Sequence, residues 1–327
     1  MATNYQKICQ GLLKELSQKQ KEIVSRRFGL AAVPNFGADA KETLEAIGRD
    51  LGITRERVRQ IEEDGFLKIK PKIAKYKNVF QYFNHYLKRC GGLKKEEILL
   101  EDLGGKKHQL QTYFLLAIND NFERFGENED FYSFWTIDKN ASGSAENIIN
   151  TLFNKLKKIG KPLSLKEISS FSNVKFLTSY LEISKKILKN SDGLYGLKDW
   201  PEIKPRGVKD KAYLVFKKLG KPLHFNEIAK LIDGALIQTV HNELIKDPRF
   251  ILVGRGVYAL KEWGYEPGQV KDVIAKILKE NGPLTQSEIL ERVLKQRLVK
   301  ENTILLNLSN KKNFLKGSQG KYKVLAI

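Results

Sequence analysis

Three stretches of the chain end in almost the same way, and this repetition constrains the fold more than any other feature. GLYGLKDW begins at Gly193, GVYALKEW at Gly256 and GKYKVLAI at Gly320, roughly 63 residues apart. Each ending follows a related turn, GKPLSLKEI, GKPLHFNEI or GPLTQSEIL. DFYSFWTI, from Asp130, and the turn GGLKKEEIL, from Gly91, are more divergent and lie one period earlier. The sequence therefore predicts four copies of one small unit.

The third copy shows the predicted layout most clearly. The apolar positions of its first helix are Ala212, Val215, Phe216 and Leu219. The Gly-Lys-Pro-Leu turn ends this helix because proline cannot continue it, and two short helices are predicted over 225–231 and 237–245. The alternating stretch FILVGRGVYALKEW, interrupted by Gly-Arg-Gly, predicts a two-stranded hairpin. Three helices and a hairpin make a winged helix, and the sequence leaves open whether neighbouring copies pack together.

Over Ala212–Tyr265 this copy resembles the HARE-HTH winged helix found in the delta subunit of bacterial RNA polymerase. The resemblance depends on AYLVFKKLGKPLHFNEIAKLI and DPRFILVGRGVYALKEW. It is weaker over 144–200 and weaker again over 268–327. It implies a binding module near RNA polymerase or DNA, with no catalytic residues of its own.

A different pattern precedes the repeats, in TLEAIGRDLGITRERVRQIEEDGFLKI, from Thr43 to Ile69. It predicts a helix, a tight turn at Gly52, where a positive φ costs least, and a second helix. The predicted buried positions are Leu44, Ile47, Leu51 and Ile53, then Val58, Ile61, Gly65 and Ile69. The opposite face of the second helix carries Arg55, Glu56, Arg59, Gln60 and Glu63. Such groups contact base edges in a major groove, although a solvated, salt-bridged helix face would have the same pattern.

The residues TLEAIGRDLGITRERVRQIE closely resemble region four of primary-type bacterial sigma factors. LSQKQKEIVSRRFGL, from Leu16 to Leu30, matches the first half of that region, so the resemblance covers roughly the first 70 residues. It implies a helix-turn-helix that binds the minus thirty-five promoter hexamer, with a recognition helix that starts at Thr54. The residues implied to contact bases are Arg55, Glu56 and Gln60, and those implied to hold phosphates are Arg57 and Arg59. The departures from the family pattern are Gly65, where alanine is usual, and the acidic Glu62, Glu63 and Asp64.

The third helix and the hairpin are the usual DNA contacts of a winged helix. The candidates in the third copy are Gln238, Thr239, His241, Asn242 and Arg255, and those in the fourth are Asn302, Thr303, Asn307, Lys311, Lys312 and Lys321. The alternative is ordinary exposed polar surface, and winged helices also bind proteins. His241 has no ligand partner in view, which favours a structural role over metal binding. The aromatic residues that recur at the hairpin ends favour core packing over base stacking, and they are Tyr195, Trp200, Tyr258 and Trp263.

Charge points to a polyanionic partner, nucleic acid first, because the formal net charge is +20 and the pI about 9.6. The segment 76–141 carries 9 basic and 10 acidic residues, a net of −1, while every other block is basic. We therefore expect that segment to dock on protein or on its neighbours. Lysine pairs at 157–158, 185–186 and 217–218 either meet phosphates or form solubilising faces.

Several function classes have little support in the sequence. No apolar run spans a bilayer, no signal peptide is apparent, and the 2 cysteines fit a reducing cytoplasm. No P-loop, HExxH, paired Cys-x-x-Cys or nucleophile elbow occurs. We therefore expect a cytoplasmic protein that is not an enzyme and uses no cofactor, metal or small-molecule substrate.

The sequence predicts a mainly α fold, a helix-turn-helix domain followed by tandem winged helices (three helices plus a β-hairpin wing). The predicted domains are 1–75, 76–141, 142–204, 205–265 and 266–327. The predicted function is a DNA-binding transcription regulator or polymerase-associated factor, with double-stranded DNA and RNA polymerase as partners. Two alternatives remain: a delta-like polymerase accessory that acts mainly by binding protein, and a targeting subunit of a DNA-modification or restriction system.

Overall fold

The computed structural model describes residues 4–30, 41–172, 174–317 and 319–325. The protein is mostly helical and consists of two compact units, an N-terminal unit of residues 1–198 and a C-terminal unit of residues 199–327. Within the described ranges, no helix is both long and apolar enough to cross a bilayer.

The N-terminal unit begins with four helices and a 3-10 helix. Their bounds are α1 Tyr5–Leu13, α2 Gln18–Phe28, α3 Leu44–Asp50, α4 Arg55–Ile69 and the 3-10 helix Lys70–Tyr76. The start of each later helix is fixed by a hydroxyl side chain that accepts a backbone hydrogen bond: Ser17 for α2, Thr43 for α3 and Thr54 for α4. The predicted helix, turn and helix are therefore present where the sequence placed them.

Four repeats follow, each with three helices and a terminal hairpin. The first repeat contains α5 Lys77–Arg89, β1 Leu93–Lys95, α6 Glu96–Gly104, α7 Gln109–Ala117, β2 Glu123–Phe125 and β3 Phe134–Thr136. The second contains α8 Ala141–Ile159, α9 Leu165–Ser170, α10 Leu177–Ile183, β4 Ile187–Lys189 and β5 Tyr195–Leu197. The third contains α11 Gly207–Leu219, β6 Leu223–His224, α12 Phe225–Lys230, α13 Ile237–Lys246, β7 Phe250–Gly254, β8 Val257–Leu260 and the 3-10 helix Lys261–Trp263. The fourth contains α14 Val270–Asn281, α15 Gln286–Gln296, α16 Glu301–Leu308, β9 Phe314–Lys316 and β10 Tyr322–Val324.

The sheet of every repeat has the same topology, with the last strand in the middle. The strand orders are β1-β3-β2 in the first repeat and β6-β8-β7 in the third, all antiparallel. In the second and fourth repeats a single residue replaces the first strand, because Leu163 bridges Tyr195 and Leu284 bridges Tyr322. The repetition seen in the sequence is therefore a repetition of structure.

The N-terminal helices share one hydrophobic core with the first repeat. The rings of Phe28 and Phe66 lie 5.7 Å apart, and Phe28 lies 5.3 Å from Phe114 of α7. Leu12, Ile69 and Phe114 are buried in this common core. The expectation that segment 76–141 docks on its neighbours is confirmed, because its third helix is buried against α1 and α2.

The first and second repeats are fastened together through α10. The Ser179 hydroxyl donates to the Cys90 carbonyl at 2.6 Å, and Lys94 pairs with Glu182 at 2.8 Å. A backbone bridge between Phe131 and Ser184 extends the contact. Because these groups lie on α10 or directly after it, the third helix of the second repeat is largely used in internal packing.

The third and fourth repeats are joined in a different way. The Leu298 amide donates to the Val253 carbonyl at 2.7 Å, so the segment after α15 pairs with the edge of β7. Beside it, Arg297 is 3% exposed and donates to the carbonyls of Glu266 and Gly268 at 2.6 and 2.8 Å. Burial lowers the pKa of Arg297. Contact between neighbouring repeats, which the sequence left open, occurs in both units.

The predicted core positions are buried or half-buried, except for Leu219. Tyr195 and Tyr258 are buried, and the Trp263 ring packs on Phe216 at 6.0 Å, which confirms core packing for these aromatics; Trp200 is half-buried. Leu219 was predicted in the core of α11 but is 43% exposed, because it is the last residue of that helix.

The two cysteines are free. Burial raises the pKa of the Cys9 thiol to about 12, which keeps it protonated and unreactive, whereas Cys90 is half-buried.

Candidate nucleic-acid interface

The turn between α3 and α4 is tight because a glycine lies beneath it. A Cβ added to Gly48 would lie 2.7 Å from the Ile53 carbonyl oxygen and 3.3 Å from the Arg55 amide nitrogen. Gly52 has a φ of 65°, as predicted for the turn residue. Ile47 and Val58 are buried with Ile23 of α2, so the two helices are clamped on one small core.

A buried arginine fastens α2 to both ends of α3. The Arg26 side chain is 2% exposed and forms a bidentate pair with Glu42, at 2.9 and 2.7 Å. It also donates to Asp50 at 2.6 Å, and the hydrogen bond to Glu42 is the largest of the effects that raise its pKa. Glu42 precedes the cap of α3 and Asp50 is its last residue, so one guanidinium orients the whole helix.

The face of α4 that the sequence predicted to contact DNA is open to solvent. Arg55, Glu56, Arg57, Arg59 and Gln60 are all exposed on the first half of the helix. Thr54 is exposed too, but its hydroxyl accepts the Arg57 amide at 3.1 Å and caps the helix. The structure therefore places Thr54 and these five residues together on the first half of α4, and Thr54 has a structural role as the helix cap.

Two pairs of side chains on this face are hydrogen-bonded to each other. Arg57 donates to the Gln60 side-chain oxygen at 3.1 Å, which fixes the amide orientation. Arg59 pairs with Glu56 at 2.7 Å and also with Glu63. These pairs raise the pKa of Arg59 and lower that of Glu56, in each case through their mutual hydrogen bond first. The Arg55 side chain makes no hydrogen bond to any residue that the structure describes.

The second half of α4 is held by the protein. Phe66 packs on Phe28, Ile69 is buried, and Lys68 donates to the Gln20 side chain at 3.0 Å. Just beyond the helix, Lys70 pairs with Asp120 at 2.6 Å. The second half of α4 is thus anchored in the protein, and it holds the exposed first half of the helix in a fixed position.

The predicted contacts of the third repeat lie on the outer face of α13 and at its hairpin. Gln238, Thr239 and Asn242 are exposed, with Gln238 donating to Asn242 at 3.1 Å, and Arg255 is exposed on the β7–β8 turn. His241 stacks on the Phe225 ring at 4.3 Å, in keeping with a structural role.

Apolar residues are exposed at the start of the same helix. Leu236 is 73% exposed and Ile237 is 50% exposed. Hydrophobic side chains at this end of α13 are better suited to contact a protein than to contact phosphates.

In the fourth repeat, five of the six candidates are exposed. They are Asn302, Thr303, Lys311, Lys312 and Lys321. Asn307 is half-buried and donates to the Thr303 carbonyl at 2.7 Å, a hydrogen bond within α16.

Two of the three lysine pairs are partly or wholly engaged by carboxylates. Lys185 pairs with Glu127, Lys186 with Asp130 at 2.8 Å, and Lys217 with Glu262 at 2.8 Å. These lysines join elements within each unit, which disfavours the phosphate interpretation for them.

Sequence reasoning missed the residues that hold the interface in place. Gly48 carried a faint signal, a glycine inside a predicted helix, and Arg26 carried none, because its partners lie 16 and 24 residues away. Leu236 and Ile237 were not among the predicted surface contacts, since exposure is not visible in apolar spacing.

Comparison with known proteins identifies the N-terminal segment. Residues 12–70 match the model described as Sigma-70, region 4. Over 61 residues the chain is 38% identical to RNA polymerase sigma factor RpoD of Helicobacter pylori, covering 19% of this chain and 8% of that protein. Over 58 residues it is 41% identical to RNA polymerase sigma factor RpoS of Coxiella burnetii, covering 18% of this chain and 15% of that protein. The chain thus matches only a small part of these relatives, and residues 12–70 form a sigma-70 region 4 domain.

Proposed function

We propose that this protein is a DNA-binding transcription factor associated with RNA polymerase, which contacts promoter-like duplex DNA through the exposed half of α4. The observation that carries the proposal is the coincidence of a sigma-70 region 4 match with an open polar face on an anchored helix. In the proposed arrangement Arg55, Glu56 and Gln60 contact base edges. Arg57 and Arg59 hold phosphates, and the cap from Thr54 fixes the start of the helix.

We further propose that the four repeats are winged helices, in the five-domain division predicted from the sequence. Their common order of elements and common strand topology support this interpretation. In the third repeat Gln238, Thr239, Asn242 and Arg255 are the proposed DNA contacts. All four are exposed, and Gln238 donates to Asn242 on the outer face of α13.

The test is selection of bound sequences from a randomised duplex, followed by affinity measurements on the selected site and on a shuffled one. Arg55→Ala and Gln60→Ala should each weaken binding to the selected site by about 1–3 kcal/mol, roughly 5- to 150-fold. Binding to the shuffled duplex should change much less, because base contacts supply discrimination.

Arg89→Ala is the matched control, since Arg89 is an exposed arginine on α5 outside the proposed face. It should leave the ratio of the two affinities unchanged. Equal losses on both duplexes in the α4 variants would refute base contact by this helix.

The second candidate function is a polymerase accessory that acts by binding protein, favoured by the exposed Leu236 and Ile237. It predicts that the protein still co-purifies with polymerase when Arg55 and Gln60 are both replaced by alanine. A pull-down of the tagged chain from its native cell distinguishes the candidates. Recovery of a nuclease or methyltransferase would instead favour the targeting-subunit hypothesis.

A further inference from the structure

The segment between the second and third helices packs against an earlier part of the chain in three of the four repeats. In the first repeat His108, at the start of α7, lies 6.1 Å from the Tyr5 ring of α1. In the second repeat Phe176, at the start of α10, lies so close to the first repeat that a Cβ added to Gly91 would be 2.5 Å from its own Cβ. In the fourth repeat Leu298 pairs with the edge of β7 in the third. This segment is therefore a recurrent protein contact within the chain.

The same segment is uncovered in the third repeat, which comes first in the C-terminal unit and has no earlier repeat of that unit to pack on. Leu231 is 55% exposed, Leu236 is 73% exposed and Ile237 is 50% exposed. We call residues 231–237 the apolar connection. Large apolar side chains exposed together on a folded protein mark a contact with another protein.

The charges beside the apolar connection have opposite signs. Lys230 is exposed at the end of α12, and Asp233 is exposed in the turn that follows. Neither of them forms an ion pair within the part of the chain that the structure describes. An apolar stretch flanked by one base and one acid is complementary to itself, because a two-fold axis brings the base of each copy to the acid of the other. The surface therefore fits a second copy of this chain.

We propose that the apolar connection of the third repeat is a dimer interface, at which two copies of the chain pack across a two-fold axis. Leu236 and Ile237 of each copy are buried by the other copy. Lys230 of each copy pairs with Asp233 of the other. Dimers of this symmetry are the commonest oligomers of soluble proteins. The inference goes beyond the proposed function and does not depend on sequence recognition by α4.

The experiment is sedimentation velocity of the full chain over a series of protein concentrations. A salt concentration of about 150 mM screens the repulsion between two chains of net charge +20 beyond about 8 Å. The expected result is a concentration-dependent species with twice the chain mass of 37.4 kDa. DNA is omitted, because the proposed DNA contacts Gln238 and Thr239 directly follow Ile237 and would compete for the same surface.

Leu236→Gln should weaken the dimer by at least about 30-fold, because two leucine side chains, one from each copy, leave the interface. The variant should still fold, since Leu236 is largely exposed and its side chain makes no capping hydrogen bond to α13. Leu306→Gln is the matched control, because Leu306 is 72% exposed on α16 of the fourth repeat. The control should leave the dimer unchanged.

Charge reversal gives a result that only the association of two copies can produce. Lys230→Glu and Asp233→Lys each place like charges opposite one another. Each variant should weaken the dimer by up to about 25-fold, since the two-fold axis applies an effect of up to about 5-fold per exposed pair twice. An equimolar mixture of the two variants should dimerise again, because every acid then faces a base.

A monomer at every concentration would overturn the proposal, as would an equal loss in the Leu306→Gln control or a mixture of the charge variants that stays monomeric. If the chain is monomeric and Leu236→Gln abolishes co-purification with polymerase, the polymerase and not a second copy occupies the surface. Failure of DNA recognition by α4 would leave the sedimentation result unchanged, so the two proposals can fail separately.

Discussion

Replacing Gly48 by alanine should open the turn between α3 and α4, although the same replacement at Gly65 should strengthen α4. The added methyl group at Gly48 would lie 2.7 Å from the Ile53 carbonyl oxygen, a backbone atom that cannot rotate away. At Gly65 the nearest atom is a Leu16 methyl carbon at 3.5 Å, an ordinary van der Waals contact. Both glycines are buried inside helices, so the two variants differ mainly in this clearance.

The size of the difference follows from two opposing effects. Alanine stabilises a helix interior by about 0.5–1 kcal/mol relative to glycine, and this gain applies at both positions. Overpacking costs about 1–3 kcal/mol and applies only at Gly48. We therefore expect Gly48→Ala to destabilise the helix pair by about 1–2 kcal/mol and Gly65→Ala to stabilise it by up to about 1 kcal/mol.

Native-state hydrogen exchange of the α4 amides, Val58 among them, measures this local stability directly. A difference of about 2 kcal/mol between the variants corresponds to about 30-fold in exchange rate, with Gly48→Ala the faster. If the α4 amides exchanged at the same rate in the two variants, the turn would have enough space for a methyl group, and the argument for a tight turn would be wrong.

Two further predictions concern buried charge. Arg26→Met should lower the free energy of unfolding of the N-terminal unit by about 3 kcal/mol, because it removes the cation that joins Glu42 to Asp50. Arg49→Met, at an exposed position, serves as the control in the same urea titration. Equal unfolding midpoints for the two variants would contradict the prediction. In the C-terminal unit burial raises the pKa of Asp247, but hydrogen bonds from Arg249 outweigh it and leave that pKa below its ordinary value of 3.8. The resulting stability is fully present above pH 3.8 and is lost as the pH falls through the lower folded-state pKa. Arg249→Gln should therefore make the thermal unfolding temperature less sensitive to pH below pH 3.8. An unchanged acid dependence would show that the pair of Asp247 and Arg249 is not responsible.

The helix-turn-helix could be predicted because its information is local. Ile47, Val58 and Ile61 follow a helical period, and all three are buried as the period required. The close contact at Gly48 could not be predicted, since it depends on the approach of the Ile53 carbonyl across the turn. The burial of Arg26 could not be predicted for a similar reason. The sequence of a helix does not distinguish a buried arginine from an exposed one, and only the fold brings the carboxylates to Arg26.

The repeats could be predicted in layout but not in contact. Helix α12 ends one residue before the predicted end, and α13 extends one residue beyond its own. What the alternation of FILVGRGVYALKEW does not contain is a partner for the outer edge of β7, which Leu298 supplies from the next repeat. Edge pairing depends on backbone groups that every residue carries, so no side-chain pattern records it.

The four repeats share one layout, yet they differ in what their third helix is free to do. No residue of α7 is exposed, and Thr178 is the one exposed residue of α10, because these helices pack within the N-terminal unit. In α13 and α16 most outward residues remain exposed. The third helix of the first repeat supports α4 through Phe114, and a helix buried in this way gains nothing from basic charge. The first repeat, with its buried α7, has a net charge of −1 over 76–141, whereas the second repeat, with its buried α10, lies in a basic block, so burial of the third helix alone does not set the charge of a repeat.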